Sequence, residues 1–574
     1  MKSRHGRGFS EEALRRVTAR NAASEHFRGA AKPRPEPSGP AACASSLGIG
    51  ARLALLLACA LALPSASRSS EAVEFPEGEP PLVEPIVPIA PPLEPAAALA
   101  PPMPGEDALA AAGETPAPAP TPKAAPLEAL KAGQESVAKA AESGGVGRES
   151  RALDDVFDGA AMAQVRAGRE LALTVLDKNT YEVRLPGTSL DRTIVTAGSQ
   201  HFNDLWTRDA CFALMGLLDD PKRASAARGV LQSLFDRVDA RGQLPRRQGD
   251  HPHNVVWSWF LSLFGAGLPS PRALSRFEYA DGLRAPQYDA AALALILAEK
   301  YLRASGDLEF ARQNYAAMSR SAAWLEAAAG SSPDKLIDQP GGADWKDGVK
   351  RSGKVAYTNV VVFKAFDSLA GISRALGDGA ASERYHDLAE AIKASINGDL
   401  WDERRGYYKD SDGITAFSPD GNILAVLWGL ADAGRSDRIM TALQKAFEQG
   451  RLPYPALVGG KYPPQSVPWL AKRVGVEHYH DTFIWPWQAN LAAVAAERSG
   501  RPGLARRLLR RVAAQAVADG TFYEVYSPRG APRPVRSFFY RSEPDFLWSA
   551  GTYLWAFNEI LGARCGEQDC PAKP

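Results

Sequence analysis

The chain has 574 residues, 45% of them hydrophobic and 23% charged, with a formal net charge of +1. That balance excludes an electrostatic nucleic-acid binder, which needs a basic excess to displace counterions from phosphates. A multi-pass membrane protein is excluded too, since no stretch after residue 70 approaches about 20 uninterrupted apolar residues.

Residues 1–46 are basic and small, without apolar period. Arg52 then precedes the apolar run Leu53–Leu63 and the exit Pro64-Ser-Ala-Ser67. A cation, a short apolar core and small residues make a secretory signal, too short to span as a stable helix. Residues 1–67 are therefore expected to be a leader and signal peptide. The chain would be exported, to the periplasm or beyond the cell, with no membrane span in its mature form. A lipid anchor at Cys59 is the competing use of the same segment. Sixteen of the 44 prolines fall between residues 71 and 130, and no tryptophan precedes Trp206. Residues 68–150 thus lack the material of a core and read as a disordered Pro/Ala-rich linker. One folded body remains, 151–564, followed by a tail, 565–574. Cys565 and Cys570 in that tail are spaced for a small disulfide loop in an oxidising compartment, and Cys211 reads as packing.

Helical periodicity marks segments near 155–173, 208–218, 221–235, 252–264, 287–304, 307–329, 357–376, 380–400, 421–430, 436–449, 481–499, 502–519 and 544–561. The weakest is 252–264, expected to be loop. Tiny turns separate several of them: Asp219-Asp-Pro221, Ser305-Gly-Asp307, Gly377-Asp-Gly379, Gly434-Arg-Ser436 and Ser499-Gly-Arg-Pro502. Between these hairpins come long loops rich in Gly, Pro and aromatics, at 236–286, 330–356, 401–420, 450–480 and 520–543. A helical hairpin that cannot bury its face alone stacks on its neighbours. Five or six of them, elaborated on one side only, predict an all-α fold, an (α/α)6 toroid of inner and outer helices. An open solenoid is the alternative, but it would have regular linkers at both ends. Elaborated loops on a rigid scaffold are where sites are built.

Those loops carry acids beside aromatic rings. His201-Phe-Asn-Asp-Leu-Trp-Thr-Arg-Asp209 leads into a helix. Arg208 and Asp209 suit a cap with its counter-ion, or, with Trp206, Asn203 and Asp204 beside them, a contact to a hydroxyl-rich ligand. Asp289 opens an apolar helix, where it is either a dipole partner or a ligand. In the third loop Asp344 and Asp347 flank Trp345 and Lys346. An acid beside a tryptophan can keep its proton near neutral pH, as a general acid requires. In Thr521-Phe-Tyr-Glu-Val-Tyr-Ser-Pro528, Glu524 sits among aromatics.

Two carboxyls in aromatic surroundings on one rim fit glycoside hydrolysis, where one protonates the leaving oxygen and the other acts as base or nucleophile. No cofactor is implied. His251-Pro-His253 and His478-Tyr-His480 have no accompanying His-Glu-x-x-His, so no metal is expected.

Six motifs in order give a resemblance: Trp206-Thr-Arg-Asp209, Gly242-Gln-Leu-Pro245 with Tyr288-Asp289, Trp345-Lys-Asp347, Phe483-Ile-Trp-Pro486, Glu524-Val-Tyr-Ser-Pro-Arg-Gly530 and Phe546-Leu-Trp-Ser549. The chain resembles the inverting six-hairpin glycosidases. These include the glucosidase domain of glycogen debranching enzymes, the alkaline/neutral invertases, and the processing-glucosidase and glucosylglycerate-hydrolase group. The resemblance runs from about Asn203 to Ala556. It implies Asp347, rather than Asp344, as general acid and Glu524 as general base. Trp206, Arg208, Asp209, Asp289, Asp344, Trp345, Trp485 and Tyr526 would bind the substrate, an oligosaccharide or small glycoside with an α-linked, glucose-like sugar. Trp345, Tyr523 and Tyr526 are expected to line one cavity with the two carboxyls, which an inverting pair holds about 6.5–9.5 Å apart. Residues 150–200 are too short for the β-sandwich many relatives carry, and Thr358-Asn359 replaces a glutamate some have after the acid. A glycan-binding toroid without catalysis, and a lyase or epimerase on the same scaffold, are the competing functions.

Overall fold

The computed structural model describes residues 159–184, 191–250, 274–280, 285–330, 332–449, 454–473, 475–528, 532–537 and 540–562. All lie in one unit, Pro116–Pro574. The expected leader, signal and linker, the 252–264 segment, His251, His253, Gly530, Cys565 and Cys570 fall outside the described residues.

The helices, in chain order, are α1 (Gly159–Lys178), α2 (Thr207–Leu214), α3 (Pro221–Phe235), α4 (Tyr288–Ser305), α5 (Leu308–Ala329), α6 (Ala356–Ala375), α7 (Gly379–Ser395), α8 (Pro419–Leu427), α9 (Ala433–Glu448), α10 (Trp469–Arg473), α11 (Pro486–Arg498), α12 (Pro502–Asp519) and α13 (Leu547–Phe557). Their starts follow local chemistry. The side chains of Asp220, Asp307, Asp378 and Asp432 accept a backbone N–H of the first turn, which satisfies donors a helix cannot pair internally. Pro221, Pro419, Pro486 and Pro502 open helices, where the missing N–H costs nothing. Because Asp432 caps α9, the turn expected at Gly434-Arg-Ser436 lies slightly earlier, and Gly434 is already helical.

Burial separates two rings. In α4, 14 of 18 residues are buried, whereas in α7 only 4 of 17 are. A helix buried all round belongs inside, and one with a single apolar stripe covers it. The inner ring closes through successive contacts of α2, α4, α6, α8, α11 and α13, with α13 returning to α2. Each is backed by an outer helix: α3, α5, α7, α9, α12 and, for α13, the first helix α1. This is the (α/α)6 toroid. Its sixth hairpin is not contiguous in sequence, since Tyr553 of α13 donates its hydroxyl to Val165 O of α1 at 2.8 Å.

Short antiparallel ribbons occupy the connections that precede inner helices. β1 (Thr180–Arg184) pairs with β2 (Asp191–Val195), and β3 (Leu205–Trp206) with β4 (Arg247–Gly249), which also pairs with β5 (Arg276–Glu278). Further along, β6 (Asp338–Gln339) pairs with β7 (Gly353–Lys354), β8 (Trp401–Asp402) with β9 (Tyr407–Ser411), β9 with β10 (Ile414–Phe417), and β11 (Tyr526–Ser527) with β12 (Arg533–Pro534). Isolated bridges join one loop to the next, Val355 to Ser411, Phe417 to Val458, Pro455 to Ile484 and Ile484 to Tyr526. The elaborated loops are therefore one linked rim, with their backbone polar groups paired to each other.

Candidate active site

A cavity of about 320 Å³ opens at that rim. Its wall includes Trp206, Arg208 and Asp209 from the start of α2, Trp345 and Asp347 from the 340–352 loop, Trp485 at the start of α11, Glu524, and Phe546 and Trp548 at the start of α13. Three inner helices thus present their N-terminal turns to it, the end where partial positive charge favours carboxylates.

The loop carrying Asp347 is anchored from beneath. Asp344 turns down and is held by Arg351, with Nη2 to Oδ1 at 2.8 Å and Nε to Oδ2 at 3.2 Å. Lys346, with no exposed surface, donates Nζ to Ser418 Oγ at 2.7 Å, Ala456 O at 2.9 Å and Tyr462 Oη at 3.1 Å. Asp410 and Asp420 complete the cluster, Asp410 at 2.7 Å from Arg351 and Asp420 at 3.2 Å. Between the two anchors, Trp345 donates Nε1 to Asp420 Oδ2 at 2.6 Å and meets Trp485 and Trp487 edge to face, with centroids 5.2 Å apart in each pair. Residues alternate, so 345 and 347 face the cavity while 344 and 346 enter the ion cluster. Asp344 is therefore corrected from a sugar contact to an anchor.

Asp347 remains 34% exposed. Arg246 approaches its Oδ2 at 3.5 Å and lies over the Trp206 ring, 5.2 Å from its centroid. The turn that delivers Arg246 needs Gly242, whose φ of +99° is left-handed and whose Cβ would meet Arg320 O at 2.3 Å. On the other side His480 Nε2 stands 4.0 Å from Asp347 Oδ1. His480 Nδ1 accepts the Gly348 N–H at 3.2 Å, so the ring proton belongs on Nε2, toward Asp347. Burial, with the charges of Lys346, Arg351 and Arg208, holds this imidazole well below its ordinary pKa and therefore neutral.

Glu524 is buried. It accepts the hydroxyls of Tyr479 and Tyr540 on its two oxygens, and the Glu543 N–H at 3.4 Å. Burial pushes its pKa up to about 7 against those hydrogen bonds, and the charge of Asp347 adds to the rise. Burial likewise raises Asp209 to about 7, opposed by Arg208 and reinforced by Glu524 and Asp347. Three carboxyls thus share this cavity, and the charge of Asp347 contributes to the rise of both Glu524 and Asp209.

Several expected contacts lie behind the wall. Asp289 is fully buried and pairs with Arg208 through two hydrogen bonds, 2.6 and 3.0 Å, while accepting Tyr357 Oη at 3.1 Å. Its place is to orient Arg208, which does line the cavity. Asp204 pairs with Arg247 at 2.6 Å. The expectation for Tyr523 and Tyr526 is also corrected. Neither is among the lining residues, and the Tyr526 hydroxyl donates to Asp519 Oδ2 at 3.0 Å. Ile484 and Tyr526 exchange backbone hydrogen bonds, both at 2.9 Å, which places the strand beside Trp485 and leaves the aromatic positions around Glu524 to Tyr479 and Tyr540. Among the described residues no group of three or more His, Cys, Asp or Glu could hold a metal. Cys211 is a free thiol buried in α2.

Residues 277–453, from β5 to just past α9, match the six-hairpin glycosidase domain of bacterial alpha-L-rhamnosidases. Over that stretch the helical toroid is similar to six-hairpin glycosidase domains. A 114-residue stretch is 29% identical to N,N'-diacetylchitobiose phosphorylase of Vibrio furnissii, covering 18% of this chain and 14% of that protein. Two solved structures are similar at 16% identity. One is a rhamnosidase from Klebsiella oxytoca with rhamnose bound, with TM-score 0.49, 70% of this chain and 64% of that one. The other is a mannosylglycerate hydrolase from Thermus thermophilus in complex with Tris, with TM-score 0.48, 67% of this chain and 99% of that one.

The cavity is also lined by residues that the sequence did not single out as site residues: His201, Phe202, Arg246, Gly348, Val476, Tyr479, His480 and Tyr540. Some signal existed for two of them. Arg246 directly follows Gly242-Gln-Leu-Pro245, and His478-Tyr-His480 was weighed only as a metal motif. For Tyr540 the sequence carried no signal, since it lies 16 positions after Glu524 and is brought back beside it by the fold.

Proposed function

We propose that this protein is an exported, exo-acting glycoside hydrolase that cleaves α-glycosidic bonds with inversion, Asp347 acting as general acid and Glu524 as general base. One observation carries the assignment: on one cavity, Asp347 keeps a third of its side chain in solvent while Glu524 is buried. A terminal sugar seated in the pit has its glycosidic oxygen toward the mouth, beside Asp347. The far face of its anomeric carbon then looks at Glu524. Asp347 protonates the departing oxygen as the C–O bond breaks. Glu524 takes a proton from the water whose oxygen forms the new bond on the opposite face. Tyr479 and Tyr540 donate to both Glu524 oxygens, which favours the carboxylate a base must be. Arg246 and the Nε2–H of His480 flank Asp347, and Asp209 offers an acceptor for a sugar hydroxyl.

Water suits the buried base better than phosphate, because a phosphate dianion there would meet the charge of Glu524 in a low-dielectric site. Motif order favours α-glucosides as substrates, and the family description makes α-L-rhamnosides the next class. Export rests on the Arg52–Ser67 pattern. Among the described residues, no helix is long and apolar enough to cross a membrane.

The test is proton NMR of the sugar released from a panel of α-linked glucosides, sucrose, glucosylglycerate and α-L-rhamnosides. Inversion appears as β product first. Retention of configuration, or no release from any member, defeats the reading. A sugar phosphate formed only in phosphate buffer would make the protein a phosphorylase.

A further inference from the structure

His201 is among the cavity residues that the acid and base reading leaves without a task. It lies in the segment between β2 and β3, whose backbone is held by hydrogen bonds on both sides of the residue. Gly198 N–H donates to Phe202 O at 3.0 Å, Ala197 N–H to Asp204 O at 3.0 Å, and Leu547 N–H of α13 to Ala197 O at 2.8 Å. Glu543 accepts the His201 N–H at 2.8 Å and the Gln200 N–H on its other oxygen. The position of residue 201 is therefore set without help from its side chain.

The residue is only 7% exposed and lines the cavity. Neither of its nitrogens has a hydrogen-bond partner among the described residues. A buried polar group left unpaired costs about 1–3 kcal/mol, so an imidazole held this way points to a partner that enters the cavity. Other buried nitrogens of cavity-lining residues share the condition, among them Trp548 Nε1 and His480 Nε2. Burial and the charge of Arg541 hold His201 below its ordinary pKa. It is a neutral ring with one donor and one acceptor. The carboxyls of Asp209, Asp347 and Glu524 supply acceptors on the same cavity.

A ligand that satisfies these groups both donates and accepts at several points around a compact body. Hydroxyls on a ring do so. Charge narrows the class further. Of the two cavity arginines, Arg208 is engaged by Asp289 and Arg246 stands between Glu278 and Asp347, while three carboxyls face the interior. An anionic sugar would add charge of the wrong sign.

We propose that His201, with Trp548 Nε1, is a specificity-determining pair that holds hydroxyls of an uncharged pyranose in the cavity. This rests on the glycoside hydrolase reading and deepens it by naming the class of sugar at the reacting position, neutral rather than uronic or phosphorylated.

The test uses the full chain and reads binding, not turnover. D-glucose, D-mannose, L-rhamnose, D-glucuronate and D-glucose 6-phosphate are titrated by calorimetry into wild type, His201→Phe and His201→Gln, and each protein is melted without sugar. Wild type is expected to bind at least one neutral sugar more tightly than either anion. His201→Phe should weaken that sugar by roughly 5- to 100-fold, the cost of one unmet buried hydrogen bond. His201→Gln, which restores a donor and an acceptor, should recover most of it. The unliganded His201→Phe should melt at the wild-type temperature or above, since it removes a buried ring whose nitrogens are unpaired. Binding of no neutral sugar by wild type, tighter binding of an anion, or a destabilised His201→Phe with unchanged affinity each overturn the proposal. Absence of turnover on every glycoside would defeat the hydrolase reading while leaving these binding outcomes separately readable.

Discussion

Arg351 grips both carboxylate oxygens of Asp344, at 2.8 and 3.2 Å, three residues before Asp347 reaches the cavity. Two neighbouring aspartates thereby have opposite duties, and their substitutions should separate. Asp344→Asn replaces one carboxylate oxygen that accepts from Arg351 and Gln339 by a donor, leaving buried donors unpaired, expected to cost about 1–3 kcal/mol. Asp347→Asn should change stability by less than about 1 kcal/mol, as for surface-accessible changes, while lowering kcat about 10²- to 10⁴-fold, the usual worth of a general acid. Urea unfolding and initial rates on the two variants check both halves. Equal loss of activity with no stability difference would contradict the division.

The hydroxyl of Tyr540 donates to Glu524 and pulls its pKa down against burial. Tyr540→Phe removes that pull, so the pKa of Glu524 rises. The base must be ionised to act, and the acid limb of the kcat/KM profile should therefore move to higher pH. A shift of roughly half to one unit corresponds to one hydrogen bond of ~1 kcal/mol. A shift toward lower pH would remove Glu524 from the role of base.

Buried carboxyls also set how stability responds to pH. Glu524 and Asp209 are raised to about 7 and Glu543 to about 8, all chiefly by burial. A folded pKa above the unfolded one favours the fold while the group is protonated. That contribution is full below about pH 4, the unfolded carboxylate range, and is lost as pH rises through 7 to 8. Glu524→Gln keeps the group neutral at all pH, and its hydrogen-bonded tyrosines can turn to accept. It is expected to melt close to wild type at pH 5 and above it at pH 8, as measured by thermal unfolding at the two values.

Gly348 sits where a Cβ would meet His480 Nδ1 at 2.8 Å. Gly348→Ala must displace the His480 ring, or the Asp347 backbone beside it. Misplacement by about 1 Å can cost about 100-fold in rate, so a loss of roughly 10- to 100-fold in kcat is expected with a modest change in melting temperature. Steady-state kinetics beside a thermal melt distinguish this from simple unfolding.

Local chemistry determined where most of the helices lie. Asp307 and Asp378 before α5 and α7, and Pro221 and Pro502 opening α3 and α12, act within one turn of their own position, so their consequences are readable from neighbours in the chain. The alternation of tiny turns with long aromatic loops likewise carried the toroid, because stacking hairpins is how such a pattern buries itself. What tertiary structure alone decided are the relationships between distant residues. The sixth hairpin joins α13 to α1, and no turn signal announces it. Asp289 looked like a ligand until Arg208, 81 positions earlier, occupied both of its oxygens. Tyr523 and Tyr526 flank Glu524 in sequence, yet a backbone pairing of Tyr526 with Ile484 sends its ring to Asp519 and gives Glu524 to Tyr479 and Tyr540. The reason is physical. Residue type and near spacing state what a side chain is able to do, whereas its partner is chosen by whichever charge or donor the folded backbone brings within about 3 Å, the reach of a hydrogen bond.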